Sequence, residues 1–116
     1  MRPVRVLILS WEFPPSAAGG TSAHVDGLAH ALDRLGHEVT VLTRRVPGAE
    51  SDSLLGGVRV IRADVDLPWL PDNQVAGMAS ANHALVAAFA SANGGRPDVI
   101  HAHDWPVAWA ADVIST

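Results

Sequence analysis

The sequence predicts an α/β protein in which a parallel sheet of about four strands is flanked by helices. Short apolar runs rich in Val, Ile and Leu alternate with longer stretches whose apolar residues recur at helical spacing. Most boundaries between these segments carry Gly or Pro, which end regular structure. The chain has 116 residues and 48% of them are hydrophobic, enough for one domain with a modest core.

The first part of the chain has the pattern strand, helix, strand. Residues 4–9 are a continuous apolar run, as expected of a parallel strand buried on both faces. One helix face is then formed by residues at positions i, i+3, i+4 and i+7, namely Val25, Leu28, Ala29 and Leu32. Gly36 ends this helix, and residues 38–43 form the second strand. These segments predict a βαβ unit.

The middle of the chain is less regular. Residues 44–57 contain several glycines and polar residues and are expected to be a surface excursion. Residues 58–61 are a short third strand. Residues 67–71 contain two prolines in an apolar segment, which is expected to cap an edge of the core or, alternatively, to line a binding cleft.

The last part of the chain predicts helix, strand, helix. A long helix is capped by Asp72 or Asn73 and ended by Gly94 and Gly95. Its buried stripe is expected to contain Val75, Met78, Asn82, Leu85, Val86 and Phe89. Residues 98–102 are the fourth strand, and the final helix starts near Pro106 with an apolar face of Val107, Ala110, Ala111 and Ile114. The whole pattern is half of a doubly wound sheet, so the sequence is expected to be a fragment.

Residues 10–24 link the first strand to the first helix and are the most informative stretch. In open α/β sheets such loops, at the carboxyl ends of strands, form the ligand crevice. Gly19 and Gly20 stand just before the predicted helix, whose start presents free N–H groups to an anion. We therefore interpret the loop as a candidate phosphate site. The alternative is a turn built on Pro14 and Pro15 with a glycine hinge.

A second candidate site lies at the carboxyl end of the fourth strand. His101 and His103 are two residues apart and are expected to face the same side. This spacing also suits a metal, with Asp104 as a further ligand, but no second group of ligands appears. The alternative is that one histidine is structural and the other exposed. His24, His30, His37 and His83 have no matched spacing and are expected to be surface or structural residues.

Three tryptophans are expected near the same edge of the sheet. Trp11, Trp105 and Trp109 could stack on a sugar or a base, or could pack at strand ends.

Composition excludes several classes of function. The net charge is −4 with no basic patch, so no nucleic-acid partner is expected. Without cysteine there is neither a disulfide framework nor a thiolate site. The loop lacks both the Gly-x-Gly-x-x-Gly pattern of dinucleotide sites and the P-loop pattern. No apolar run is long enough for a signal peptide or a transmembrane segment, so a cytoplasmic location is expected.

Two separated segments resemble retaining glycosyltransferases of the GT-B fold. The first comprises residues 10–15 (SWEFPP), Gly19-Gly20, His24-Val25, Leu28, Leu32 and residues 36–41 (GHEVTV). The second, residues 97–105 (PDVIHAHDW), is similar to a segment of the same domain in glycogen and starch synthases. The likeness follows the chain in order from end to end.

The resemblance implies a fold and an activity. It implies two Rossmann-like domains, an acceptor-side N-terminal one and a C-terminal donor domain, with metal-independent transfer of a sugar from a nucleotide sugar to a glycan, lipid or small-molecule acceptor. No cofactor is implied. Gly19 and Gly20 would approach the donor phosphates, and His103 would lie by the transferred sugar as the catalytic residue. Trp11, Asp104 and Trp105 are candidate acceptor or sugar contacts.

Two departures from the family pattern carry further expectations. Glycogen synthases have Lys-x-Gly-Gly, whereas Ala17 stands at the lysine position here. Residues 1–116 cover only part of the N-terminal domain, so the donor domain is expected to be absent and this chain alone inactive and prone to self-association. A metal hydrolase built on His101 and His103, and a noncatalytic α/β binding module, are the alternatives. His101, earlier on its strand than His103, is expected to be packed.

Overall fold

The computed structural model of the protein describes residues 2–15, 19–64, 74–93, 95–103 and 107–115. Over these residues the chain forms five strands and three helices. In chain order they are β1 (Arg5–Ser10), α1 (Gly19–Arg34), β2 (Glu38–Arg44), β3 (Asp52–Leu55), β4 (Val58–Ala63), α2 (Gln74–Ser91), β5 (Val99–His103) and α3 (Ala108–Ser115). None of these helices, as far as the chain is described, is long and apolar enough to cross a membrane.

The strands form one sheet in the order β3-β4-β2-β1-β5. β4, β2, β1 and β5 are parallel to one another, and only β3 is antiparallel to its neighbour β4. β1 lies between two strands and is buried from Val6 through Ser10, as the continuous apolar run predicted. The predicted α/β class with a parallel sheet is confirmed.

The sheet has five strands where about four were expected, because the edge strand β3 was not predicted. Residues 44–57 were expected to be a surface excursion, whereas Asp52–Leu55 within them pairs with β4 as an edge strand. Leu54 is 71% exposed, and neither face of β3 is buried. The strand therefore lacks the alternation of apolar and polar residues from which a strand is predicted. What stabilises it is the pairing with β4, including an Arg59–Asp52 ion pair at 2.7 Å.

Helices cover both faces of the sheet. Alternate residues of each strand face opposite sides, so Val6 and Ile8 pack on α1, and Leu7 and Leu9 pack on α2 and α3. From the helices, the buried residues on these two faces include Val25, Ala29, Leu85 and Ala110. A leucine buried this completely stabilises the fold by about 2–3 kcal/mol.

The predicted helix stripes are confirmed where the structure describes them, except at Leu35. That residue was expected to extend the stripe of the first helix, but it follows the end of α1 at Arg34 and is 61% exposed. Asn82 is 5% exposed, and its side-chain oxygen accepts a hydrogen bond from the Ala110 N–H at 2.9 Å, which ties α2 to α3. The side chains of Val75 and Met78, and the apolar segment 67–71, lie outside the described residues.

Candidate functional site

The carboxyl ends of β1, β2, β4 and β5 lie at one edge of the sheet because these strands are parallel. β1 extends through Ser10 and β5 through His103, each one residue further than expected. Residues 11–15, which follow β1, and the start of α1 therefore lie at this edge together with His103. We refer to it as the carboxyl edge.

The glycine pair has a different position from the one expected. α1 begins at Gly19, so Gly19 and Gly20 are its first two residues and are not in the loop before it. Their backbone is helical. The first N–H groups of any helix lack intrahelical acceptors, so the glycine pair still contributes donors suited to an anion.

His101 and His103 point to the same face of the sheet, as predicted. Their ring centroids are 5.9 Å apart with an interplanar angle of 27°. β5 pairs in register with β1, so His101 is level with Ile8 and His103 with Ser10. Because Ile8 packs on the α1 side, both imidazoles lie on the side of the sheet that α1 covers.

A third histidine, His24, was expected to be a surface or structural residue but joins this pair. The ring of His24, on α1, lies 5.4 Å from the ring of His103, with an interplanar angle of 39°. The available signal was its place near the start of a helix that begins at the carboxyl edge. Sequence spacing could not show the contact, because the two residues come from distant parts of the chain.

His101 is exposed, so the expectation that it is packed was wrong; β5 is an edge strand within the described sheet. The described residues contain no group of three or more His, Cys, Asp or Glu side chains arranged to hold a metal ion. Asp104 and Trp105 lie outside the described residues.

Trp11 lies at the carboxyl edge, directly after β1. The guanidinium carbon of Arg44 lies 4.9 Å from the centroid of its ring, and Arg44 Nε donates a hydrogen bond to its carbonyl oxygen at 3.1 Å. Arg44 thus occupies one face of the indole. Trp109, which is 56% exposed, belongs to α3 on the other face of the sheet.

Side chains from three strands hold residues 11–15 in place. Ser10 Oγ donates a hydrogen bond to the Glu12 carbonyl at 2.6 Å, and Arg44 Nη2 lies 2.7 Å from Glu12 Oε1. Arg62 Nη2, from β4, donates to the carbonyl oxygen of Pro14. Phe13 is 1% exposed and belongs to the core on the α1 side. Residues 11–15 are therefore held against the carboxyl edge by hydrogen bonds, an ion pair and core packing.

The fold is a Rossmann-like α/β sheet whose parallel strands all end at the carboxyl edge, the edge at which open α/β sheets bind their ligands. The model of the glycosyl transferase 4-like domain matches residues 19–115. The chain belongs to the glycosyl transferase 4-like family, and the resemblance to GT-B glycosyltransferases is confirmed.

Two curated relatives illustrate this family. The chain is 38% identical over 122 residues to a glycogen synthase of Mycobacterium tuberculosis (strain CDC 1551 / Oshkosh), covering 93% of this chain and 30% of the relative. It is 32% identical over 106 residues to an uncharacterized glycosyltransferase of Methanocaldococcus jannaschii, covering 88% of this chain and 25% of that protein. The chain thus spans 30% or less of the length of these relatives.

Solved structures show the same fold. A sucrose-phosphate synthase from Thermosynechococcus elongatus matches with a TM-score of 0.68 and 23% identity, over 94% of this chain and 29% of that chain. The catalytic domain of starch synthase IV from Arabidopsis thaliana, bound to ADP and acarbose, matches with a TM-score of 0.67 and 20% identity, over the same shares.

Proposed function

We propose that this chain is the acceptor-side part of a retaining glycosyltransferase, which transfers a sugar from a nucleotide-sugar donor to a glycan, lipid or small-molecule acceptor. Membership of the glycosyl transferase 4-like family and the likeness to a glycogen synthase support this proposal. The chain spans 30% of that relative, and in our proposal the remainder of the protein supplies the donor domain. The 116 residues alone are then inactive.

In this proposal the start of α1 stabilises the leaving phosphate. Breaking the bond between sugar and nucleotide leaves negative charge on the diphosphate, and fixed donors aimed at that charge lower the barrier. Gly19 and Gly20 open a helix of 16 residues at the carboxyl edge, where unpaired N–H groups and the positive end of the helix dipole both favour an anion. Glycine allows the phosphate to approach the backbone closely.

The observation that carries the proposal is the contact between His103 and His24. It brings the end of β5 beside the first turns of α1, which is where a sugar attached to a phosphate would lie. The His103 imidazole can donate a hydrogen bond to a sugar hydroxyl. The leaving phosphate then accepts the acceptor's proton, so His103 is not required as the general base. Trp11, Asp104 and Trp105 remain proposed acceptor or sugar contacts.

The test is sugar transfer by the complete protein from ADP- and UDP-linked donors, comparing His103→Ala with wild type. We expect kcat to fall about 10²-fold, as for the loss of one transition-state donor. The control is His83→Ala, which removes an exposed imidazole from α2 on the other face of the sheet. Equal loss in both variants, or an unchanged kcat in His103→Ala, contradicts the proposal.

The same experiment distinguishes the proposed transferase from the two alternatives, a noncatalytic α/β binding module and a metal hydrolase built on His101 and His103. A wild-type protein that binds a nucleotide sugar without turnover is a binding module. Hydrolysis that depends on a metal and on His101 supports the hydrolase, for which the described residues offer no ligand group of three.

A further inference from the structure

His30, on α1, contacts the turn that joins β3 to β4. Its Nε2 lies 3.1 Å from the carbonyl oxygen of Leu55, the last residue of β3. Its Nδ1 lies 2.9 Å from the carbonyl oxygen of Asp26 and 3.1 Å from a carboxylate oxygen of the same residue. Carbonyl oxygens only accept hydrogen bonds, so each ring nitrogen of His30 faces a group to which it must donate.

Only the protonated imidazole can bind both partners. A neutral histidine carries one N–H donor, whereas the imidazolium carries two. In either neutral tautomer, one ring nitrogen therefore directs its lone pair at an oxygen, which is repulsive. The tautomer with a proton on Nδ1 keeps two acceptors on Asp26, the carbonyl and the carboxylate. The contact with Leu55 is therefore the one that opens when the proton leaves.

The groups around His30 on α1 favour its protonated form. The pKa of His30 is raised above 6.5, first by its hydrogen bond to the Asp26 carbonyl and also by that to Leu55, against the opposing effect of burial. The negative charges of Asp26, four residues before it, and of Asp33, three residues after it, raise the pKa further. Arg34, the cation in the last turn of this helix, is exposed.

α1 meets the β3–β4 turn through a second side chain as well. The carboxylate of Asp33 lies against Gly57, so close that the turn has no room for a Cβ at this position. The charged residues of β3 and of the start of β4, Asp52 and Arg59, form an ion pair with each other at 2.7 Å. Arg59 Nη2 also donates to the carbonyl of Ala92, which follows α2, so this pair lies on the opposite side of the sheet from His30. The turn therefore presents a carbonyl oxygen and glycine backbone to α1.

We propose that His30 is a proton-operated clamp that holds the β3–β4 turn against α1. In the imidazolium form, one N–H donates to Asp26 and the other to the Leu55 carbonyl. Loss of the proton opens the contact with Leu55, so the turn separates from α1 and the exposed edge strand β3 separates from β4 more often. The clamp is closed at acidic pH and opens as pH rises through the pKa that His30 has in the folded protein. It does not depend on the proposed transfer activity.

Hydrogen–deuterium exchange of the complete protein tests the clamp, read by mass spectrometry on peptides that span residues 51–58. Labelling times are scaled to the intrinsic exchange rate at each pH. In wild type, the protection of these amides should fall about three- to tenfold between about pH 5.5 and about pH 8, because a charge-assisted hydrogen bond from a partly exposed group is lost. In His30→Gln it should be low at both pH values, since a glutamine amide does not titrate. The control His83→Gln, an exposed histidine of α2, should keep the wild-type pH dependence.

Asp26→Asn distinguishes a proton-operated clamp from a contact that is only structural. This variant keeps the backbone carbonyl that His30 contacts but removes the carboxylate that favours the imidazolium. The pH at which protection is half lost should therefore move to a lower value. Equal protection of residues 51–58 at both pH values in wild type overturns the clamp. A pH dependence in His30→Gln equal to that of wild type, or an unchanged midpoint in Asp26→Asn, also overturns it, because another group would then control the hairpin.

Discussion

Replacing His24 tests whether the histidine contact at the carboxyl edge has a function. The His24 ring lies 5.4 Å from the His103 ring, and the residue is otherwise exposed on α1. A pair of aromatic rings in such contact is worth about 0.5–1.5 kcal/mol. If that energy orients His103 in the transition state, its loss in His24→Ala lowers kcat/KM roughly two- to tenfold. An exposed substitution should change the stability by less than about 0.5 kcal/mol.

The assay is steady-state transfer by the complete protein, with the melting temperature measured in parallel. His24→Phe is the matched variant, because it retains a ring against His103 but not the ring nitrogens. It should restore most of the activity if His24 acts by packing. In the His103→Ala background, His24→Ala should lower kcat/KM little further, because the imidazole that His24 positions is already absent. Equal effects of His24→Ala in both backgrounds would refute this role.

Two other predictions concern α1. Gly20→Val should raise the donor KM with the fold intact, since a side chain blocks close approach of a phosphate; Gly27→Val, in the same helix with no heavy atom within 4 Å of an added Cβ, should leave KM unchanged. An equal KM for both variants would show that the glycine pair only starts the helix. The second prediction is pH-dependent. The pKa of His30 is raised above 6.5, first by its hydrogen bond to the Asp26 carbonyl and also by that to Leu55. The raised pKa of His30 adds to the free energy of unfolding. This contribution is present in full below pH 6.5, and it is lost as pH rises through the pKa that His30 has in the folded protein. The free energy of unfolding, measured in urea, should therefore be higher for wild type than for His30→Gln, and the difference should be larger at about pH 5.5 than at about pH 8. A pH-independent difference contradicts this.

The sequence by itself determined the class of fold and most of its elements. Apolar runs and helical spacing depend only on near neighbours, so β1, β2 and the stripes of α1 and α2 could be predicted from them. The edge strand β3 could not, because Leu54 is exposed and its pairing with β4 is a tertiary contact. Gly19 and Gly20 were found by residue type, but their place inside α1 depends on where the helix starts.

The candidate site shows the same division. His101 and His103 could be placed at the ligand edge from the sequence because they end a parallel strand, and the resemblance to GT-B glycosyltransferases singled out His103. Its contact with His24, and the burial of Arg62 beneath Pro14, join residues far apart in the chain. No local pattern encodes such contacts, since β4 and β5 reach this edge only through the order in which strands pair. The sequence determined which residues could carry the chemistry, and the sheet order decided which of them meet.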